Sequence, residues 1–233
     1  KNVMDVLTTL ADKGVKAIDI GRPVAERTIT ITKSEVETEF DVEKYRELAK
    51  SKKTVAVGEV GLDYYYFPKS KTKRQELKKK QEVVLREQID LALEFNLPII
   101  FHCRVAHENL IVLLNEIQKR EQGKLRGVVH SYTGDIEQAK RFMDLGLSFG
   151  FNGLIFKDVP ALPDPVSVIA AIPLEQIVLE TDSPYLKPPQ AEGDRNEPLN
   201  VRLVAERVAE AKQIEFEEVA NQTTENAKNL FSI

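Results

Sequence analysis

Short apolar runs recur along this chain, and each stops on a polar or charged residue: TVAVGEVGLD, LPIIFHC, GVVHS, LSFGFNG and QIVLETD. None approaches the roughly 18 residues of a membrane-crossing helix. Each is followed by a stretch with helical spacing. Ala106 to Arg120 sets Leu110, Leu113, Leu114 and Ile117 on one side, and Asp135 opens IEQAKRFMDLG as a cap. A long helix is expected to end near Phe95, and Asp41 is placed to cap another that runs through Leu48. Upstream, VMDVLTTLADKGV has helical spacing, and KAIDIG and TITIT have strand character. Strand, loop and helix in repeated alternation argue an α/β fold with a mainly parallel sheet. With seven candidate strands the expected architecture is a TIM-barrel (β/α)8-like domain spanning residues 1–233. A barrel of this kind usually takes about 250 residues, so the chain is slightly short for one.

Composition limits the function classes. A formal charge of −4 excludes a broadly basic protein that coats nucleic acid, while leaving room for a local positive cleft. Cys103 is the single cysteine, so no intrachain disulfide can form and a reducing, cytoplasmic setting is expected. No signal peptide opens the chain, and neither a membrane nor an obligate protein partner is implied.

The chemistry lies in where polar residues fall. Glu59, His102, His130 and Asp182 each stand at the end of an expected strand, and in a parallel barrel those ends share one face. Two imidazoles and two carboxylates make a nitrogen–oxygen donor set suited to Zn²⁺, Mn²⁺ or Mg²⁺. A cation there lowers the pKa of water, and a nearby carboxylate accepts the proton. Taken singly, each has a plainer reading: His102 and His130 as satisfied core histidines, Glu59 as the partner of a buried arginine, and Asp182 as the cap of the turn at Pro184. The joint pattern favours one site. Arg104, His107 and Arg195 are candidate substrate contacts. A salt bridge for Arg104 and an ordinary surface position for His107 stay open beside that reading. Strand alternation sends Cys103 away from the site. Tyr64 to Tyr66 follow Glu59 on a loop, either stacking on a base or forming an apolar lid. The run Lys69, Lys71, Lys73 and Arg74 either attracts a polyanion or starts a solvated helix.

GEVGLDYYY, FHCR, HSYTG, ETDSPYL, RNEP and TTENAKNLF occur in an order and at intervals that resemble the TatD family of metal-dependent deoxyribonucleases, within the amidohydrolase-like barrels. The resemblance covers residues 41–233 well and 1–20 loosely. It implies a TIM-barrel phosphodiesterase acting on DNA ends with one or two divalent cations (Mg, Mn or Zn). It further implies that Glu59 bridges them, that His102 and His130 ligate one, and that Asp182 holds the attacking water. Arg104 and the Arg195 loop would then lie near phosphate, with Glu180 structural.

Three departures stand out. The family's N-terminal strand with its histidine pair has no counterpart in these 233 residues, so the barrel's first strand is expected to be absent from them and present in the full protein. TITITKSEV takes the place of a GxHP segment, and Val105 replaces an acid after HCR. The reading is therefore a divalent-metal-dependent hydrolase, most simply a deoxyribonuclease. A hydrolase of a small ester, lactone or amide, or a catalytically silent barrel used for binding, are its rivals.

Overall fold

The computed structural model describes residues 40–233. The expected strands KAIDIG and TITIT, the first helix, and the question of a first barrel strand lie outside the described residues. Within them five parallel strands form one sheet whose spatial order follows the sequence, from β1 to β5. These are β1 (Val57–Asp63), β2 (Ile99–Arg104), β3 (Gly127–Val129), β4 (Leu147–Phe151) and β5 (Ile177–Leu179). Neighbouring parallel strands in sequential order need a crossover each time, and the connections carry it as helices. These are α1 (Val42–Ala49), leading into β1, then α2 (Lys71–Glu94), α3 (His107–Arg120), α4 (Ile136–Asp144) and α5 (Pro165–Ala171). Two further helices, α6 (Val201–Lys212) and α7 (Phe216–Phe231), follow β5. No described helix is long and apolar enough to cross a membrane.

Local chemistry sets the boundaries. Asp41 caps α1, accepting from the Lys44 amide, and Ser70 caps α2 through Lys73. Asp135 and Gln138 form a reciprocal capping box at α4. At α5, Asp164 accepts from two amides while Pro165 occupies the first turn, where its missing N–H costs nothing.

Between sheet and helices the core holds Phe101, Phe142, Phe149, Leu62, Leu85, Ile89, Leu110 and Leu114, all essentially inaccessible. Alternation in β2 is regular: Ile99, Phe101 and Cys103 are buried, while Ile100, His102 and Arg104 are partly accessible. The last three share the opposite face of the strand from Phe101. Cys103 accordingly sits in the core, where burial pushes its thiol up.

Two buried amide side chains fasten helices to the sheet. Gln81 of α2 accepts from the Asp63 amide at 3.0 Å and donates to the Asp63 carbonyl at 2.9 Å, standing in for a neighbouring strand. Asn226 of α7 donates to the carbonyls of Leu174 and Ile177, both at 2.7 Å, just before and at the start of β5. Replacing Asn226 by alanine strands two buried acceptors, each costing about 1–3 kcal/mol. Asn226→Ala is therefore expected to lower the thermal midpoint by several degrees, measured by calorimetry, whereas Asn221→Ala on the exposed face of α7 should leave it unchanged.

Candidate active site

The polar residues converge at the C-terminal end of the sheet, though not all from strand ends. Glu59 lies third in β1, at a bulge: Gly58 pairs with Ile100 and Val60 with Phe101, so Glu59 has no partner of its own. A bulge re-aims one side chain without turning over the rest of the strand, and here it frees Glu59 from the alternation that buries Val60 and Leu62. His102 is inside β2, opposite Gly61. No side chain fits at Gly61, because a Cβ there would stand 1.8 Å from the His102 carbonyl oxygen. His130 is one residue beyond β3, and its amide still donates to the Phe101 carbonyl at 2.9 Å. Asp182 is three residues beyond β5, with φ +56°. Val105 and Ser131, after β2 and β3, also have positive φ, of 58° and 48°. Non-glycine residues pay for this region with steric strain, and it tends to gather where a backbone must turn sharply at a site.

Contacts within the cluster are short. Glu59 Oε1 is 2.6 Å from His102 Nδ1 and 3.7 Å from His130 Nε2. His130 Nε2 is 4.0 Å from Asp182 Oδ1. On its far side His102 Nε2 meets Asp63 Oδ2 at 3.2 Å. His130 Nδ1 meets Glu180 Oε2 at 2.8 Å. Glu180 is itself held, its Oε1 accepting from the Ser131 amide at 2.7 Å and from Asn152 Nδ2 at 3.0 Å. Gly150 makes room for it: a Cβ on that residue would come within 2.6 Å of Glu180 Oε2. Glu180 thus orients His130 from the side opposite Glu59, in keeping with the structural role expected of it. Asp63, read from sequence only as part of a loop, is a buried partner of His102.

The electrostatics follow from burial against pairing. Burial works against a charged His102, but hydrogen bonds to Asp63 and Glu59 outweigh it and push the imidazole up to about 9. For His130 burial is likewise overcome, chiefly by the Glu180 carboxylate and then by Glu59 and Asp182, to about 10. Burial would raise Glu59, yet the hydrogen bond from His102 and the charge of His130 hold it below the usual carboxylate range. Asp182 behaves oppositely: burial, reinforced by Glu180 and Glu59 against the pull of His130, lifts it to about 6.

Whether these residues suit a cation can be judged from their spacing. Bonds of about 2.1 Å to a tetrahedral or octahedral ion place donors roughly 3–3.4 Å apart. The separations of 2.6, 3.7 and 4.0 Å bracket that range. As they stand, no three His, Cys, Asp or Glu side chains among the described residues are placed to hold a metal ion together. Glu59 is instead hydrogen-bonded to His102, while His130 stands 3.7 Å from Glu59 and 4.0 Å from Asp182, so the side chains would have to move to coordinate an ion. The donor set fits, with Asp63 and Glu180 supplying the outer carboxylates that metal-bound imidazoles characteristically use.

The other expected contacts divide. Arg104 shares the His102 face of β2. His107 instead opens α3 and packs edge-on against Tyr132 (5.8 Å) and Phe142 (6.5 Å). Its Nε2 is buried without a partner, and burial lowers its pKa, so the structure gives this ring a packing position between α3 and α4. Arg195 is exposed and makes no hydrogen bond or ion pair among the described residues. Its neighbour Asn196 has a different role, holding the turn that carries Asp182. The 2 %-exposed Asn196 side chain donates to the carbonyls of Thr181 (2.7 Å) and Tyr185 (2.8 Å), on either side of Asp182. Its own amide bonds the Pro184 carbonyl at 3.1 Å. An asparagine next to a charged residue was the available signal, but nothing in the sequence says which carbonyls it reaches. Beside Ser131, Gly150 and Asn152 a cavity of about 400 Å³ opens under the loop that follows β4.

A parallel sheet with imidazoles and carboxylates gathered at its C-terminal end is the arrangement that a metal-dependent hydrolase of the amidohydrolase barrel type would use. The chain belongs to the TatD related DNase family, whose model matches residues 15–232. It is 41 % identical over 197 residues to the "Uncharacterized metal-dependent hydrolase YabD" of Bacillus subtilis (strain 168), covering 84 % of this chain and 72 % of that one. The "3'-5' ssDNA/RNA exonuclease TatD" of Yersinia pseudotuberculosis serotype O:3 (strain YPIII) is 34 % identical over 195 residues, covering 82 % of this chain and 71 % of its own. The crystal structure of YJJV, a TatD homolog from Escherichia coli K12, superimposes with a TM-score of 0.72 at 30 % identity, over 89 % of this chain and 74 % of that one. The fold is the TIM-barrel-like fold of these relatives, and family membership carries divalent-metal dependence with it.

Two outcomes follow for the cluster. In metal-free protein, Glu180→Gln should bring the His130 titration down from about 10 toward 6.5, read from the imidazole proton shifts in NMR. A raised histidine pKa stabilises the fold fully below about 6.5 and ceases to as pH rises through the folded value. The variant should therefore lose stability relative to wild type at pH 6 and approach it above pH 10. Separately, Asn196→Ala is expected to reduce hydrolysis at least tenfold while the far-ultraviolet circular dichroism is unchanged, because it frees the turn that carries Asp182.

Proposed function

We propose that this protein is a divalent-metal-dependent phosphodiesterase that hydrolyses DNA, most readily at single-stranded ends. The observation that carries the reading is the grouping of Glu59, His102, His130 and Asp182 within 4.0 Å steps at one end of the sheet. The exonuclease named among its relatives supports nucleic acid as the substrate class.

Glu59, His102, His130 and Asp182 would hold one or two divalent ions, which when bound supply Lewis acidity and an acidified water. Glu59 suits a shared position because its Oε1 already lies between the two imidazoles. Asp63 fixes His102 through Nε2 and Glu180 fixes His130 through Nδ1, leaving the other nitrogen of each ring toward Glu59. Asp182 is the proton acceptor: it is the carboxylate of the cluster with no hydrogen-bonded partner, 4.0 Å from His130, and so is free to take a proton from an activated water. Arg104, on the His102 face, binds a non-bridging phosphate oxygen and offsets the charge that develops there. Arg195 is available to a more distant phosphate.

The test is cleavage of labelled single-stranded and duplex DNA by the purified protein with Mg²⁺, Mn²⁺ or Zn²⁺ added in turn. Activity should vanish in EDTA and return with metal. Asp182→Asn and His130→Ala should each lower kcat by about 10²–10⁴, the range usual for a positioned acid–base or metal-binding group. Loss of all cleavage in the wild type under every metal would overturn the assignment, and full activity of both variants would overturn the site.

A further inference from the structure

Beyond the reacting cluster, the loop after β1 and the start of α2 form a surface of rings and cations. Of these, Arg74 also donates to the Pro68 and Lys69 carbonyls, and Lys78 lies over the Tyr64 ring. Tyr65 and Tyr66 are 55 % and 59 % exposed, large rings left in water directly after the buried Asp63 and Tyr64. They meet edge to face, centroids 4.7 Å apart. The Arg104 guanidinium lies over the Tyr65 ring at 3.6 Å and is 5.5 Å from that of Tyr66. The arrangement is fixed from beneath, because the Tyr64 amide donates to the Arg104 carbonyl at 2.9 Å and the Tyr65 amide to Asp63 Oδ1 at 2.8 Å. Asp63 in turn touches His102. The aromatic surface is therefore built onto the rim of the cluster.

From there the charge turns positive. Lys69 precedes α2, and Lys71, Lys73, Arg74, Lys78, Lys79 and Lys80 lie in its first three turns, with Glu76 as the one acid among them. The first turn of a helix favours anions, and α2 has no acid there. None of these cations enters an ion pair among the described residues, although surface pairs are common elsewhere in the structure, as at Arg86–Glu116 and Arg141–Glu108. A net charge of −4 with cations concentrated at a helix end that disfavours them is a local conflict of the kind that marks a binding surface.

We propose that Tyr65, Tyr66 and Arg104 form a stacking platform for unpaired bases, and that the cationic start of α2 holds the phosphates of the same single strand as it enters the cluster. Aromatic faces accept any base, and lysines neutralise the backbone, so the surface selects single strands over duplex without reading sequence. A duplex keeps its bases stacked on each other and cannot use the rings. The inference rests on the nucleic-acid reading above and adds to it the determinant of strand preference.

The experiment uses a 5′-fluorescein-labelled oligothymidylate and the matching duplex, with the whole protein and its activating metal. Tyr65→Ala/Tyr66→Ala should raise KM for the single strand roughly tenfold or more, with kcat changed less than about twofold. Tyr65→Phe/Tyr66→Phe should restore it, since the rings and not the hydroxyls stack. Lys71→Ala/Lys73→Ala should lower the slope of log affinity against log salt by about 0.7 for each lysine removed. If the wild type cleaves the strand and the alanine pair leaves KM where it was, the platform is overturned while the nuclease reading stands. If the phenylalanine pair fails as badly as the alanine pair, stacking is overturned. If the wild type cleaves neither substrate, the nuclease reading falls and the platform falls with it.

Discussion

Four carboxylates and two imidazoles crowd one end of this sheet, and the structure depends on their being paired. Unpaired, any of these buried charges would cost several kcal/mol, and the group would discharge instead. Here each imidazole sits between two carboxylates: His102 between Glu59 and Asp63, His130 between Glu59 and Glu180. In the metal-free protein both rings are thereby held charged and still, and a bound cation would displace one proton from each. Asp182 is the member left without a close partner, and it is the one whose pKa rises. Pairing that steadies five residues leaves the sixth with the weakest hold on its charge.

The backbone is shaped around this arrangement. A bulge supplies Glu59, and left-handed residues after three strands turn the chain away steeply enough to leave the site open. Asn196 reaches across from a separate loop to hold both sides of Asp182. Gln81 and Asn226 do comparable work lower down, each replacing backbone pairing with a side-chain amide. Of the motif residues that announced the family, a good part therefore serve to hold the chain rather than to react. Asn196 of RNEP and Asn226 of TTENAKNLF are of this kind.

What the sequence disclosed was governed by periodicity and by position. Strand order, the helices between strands and the burial of Cys103 all follow from alternation and spacing, and they appear as expected in β1 to β5. His102, His130, Glu59 and Asp182 were legible because each follows an apolar run. Their exact seats were not: Glu59 was expected at a strand end and occupies a bulge, since a bulge depends on cross-strand register that one strand cannot reveal. Nothing local marks Asp63, because its partner, His102, is 39 residues away. His107 looked like a substrate contact because its aromatic neighbours Tyr132 and Phe142 come from other elements. Long-range side-chain pairing is the common factor in these differences.

Gly150 shows how much of the site is written in a missing atom. The carboxylate of Glu180 occupies the space that a methyl group would take, and through it His130 is aimed. A side chain at position 150 would push the Glu180 carboxylate aside and with it the group that aims His130, so an atom left out of β4 sets the direction of a ring on another strand's end.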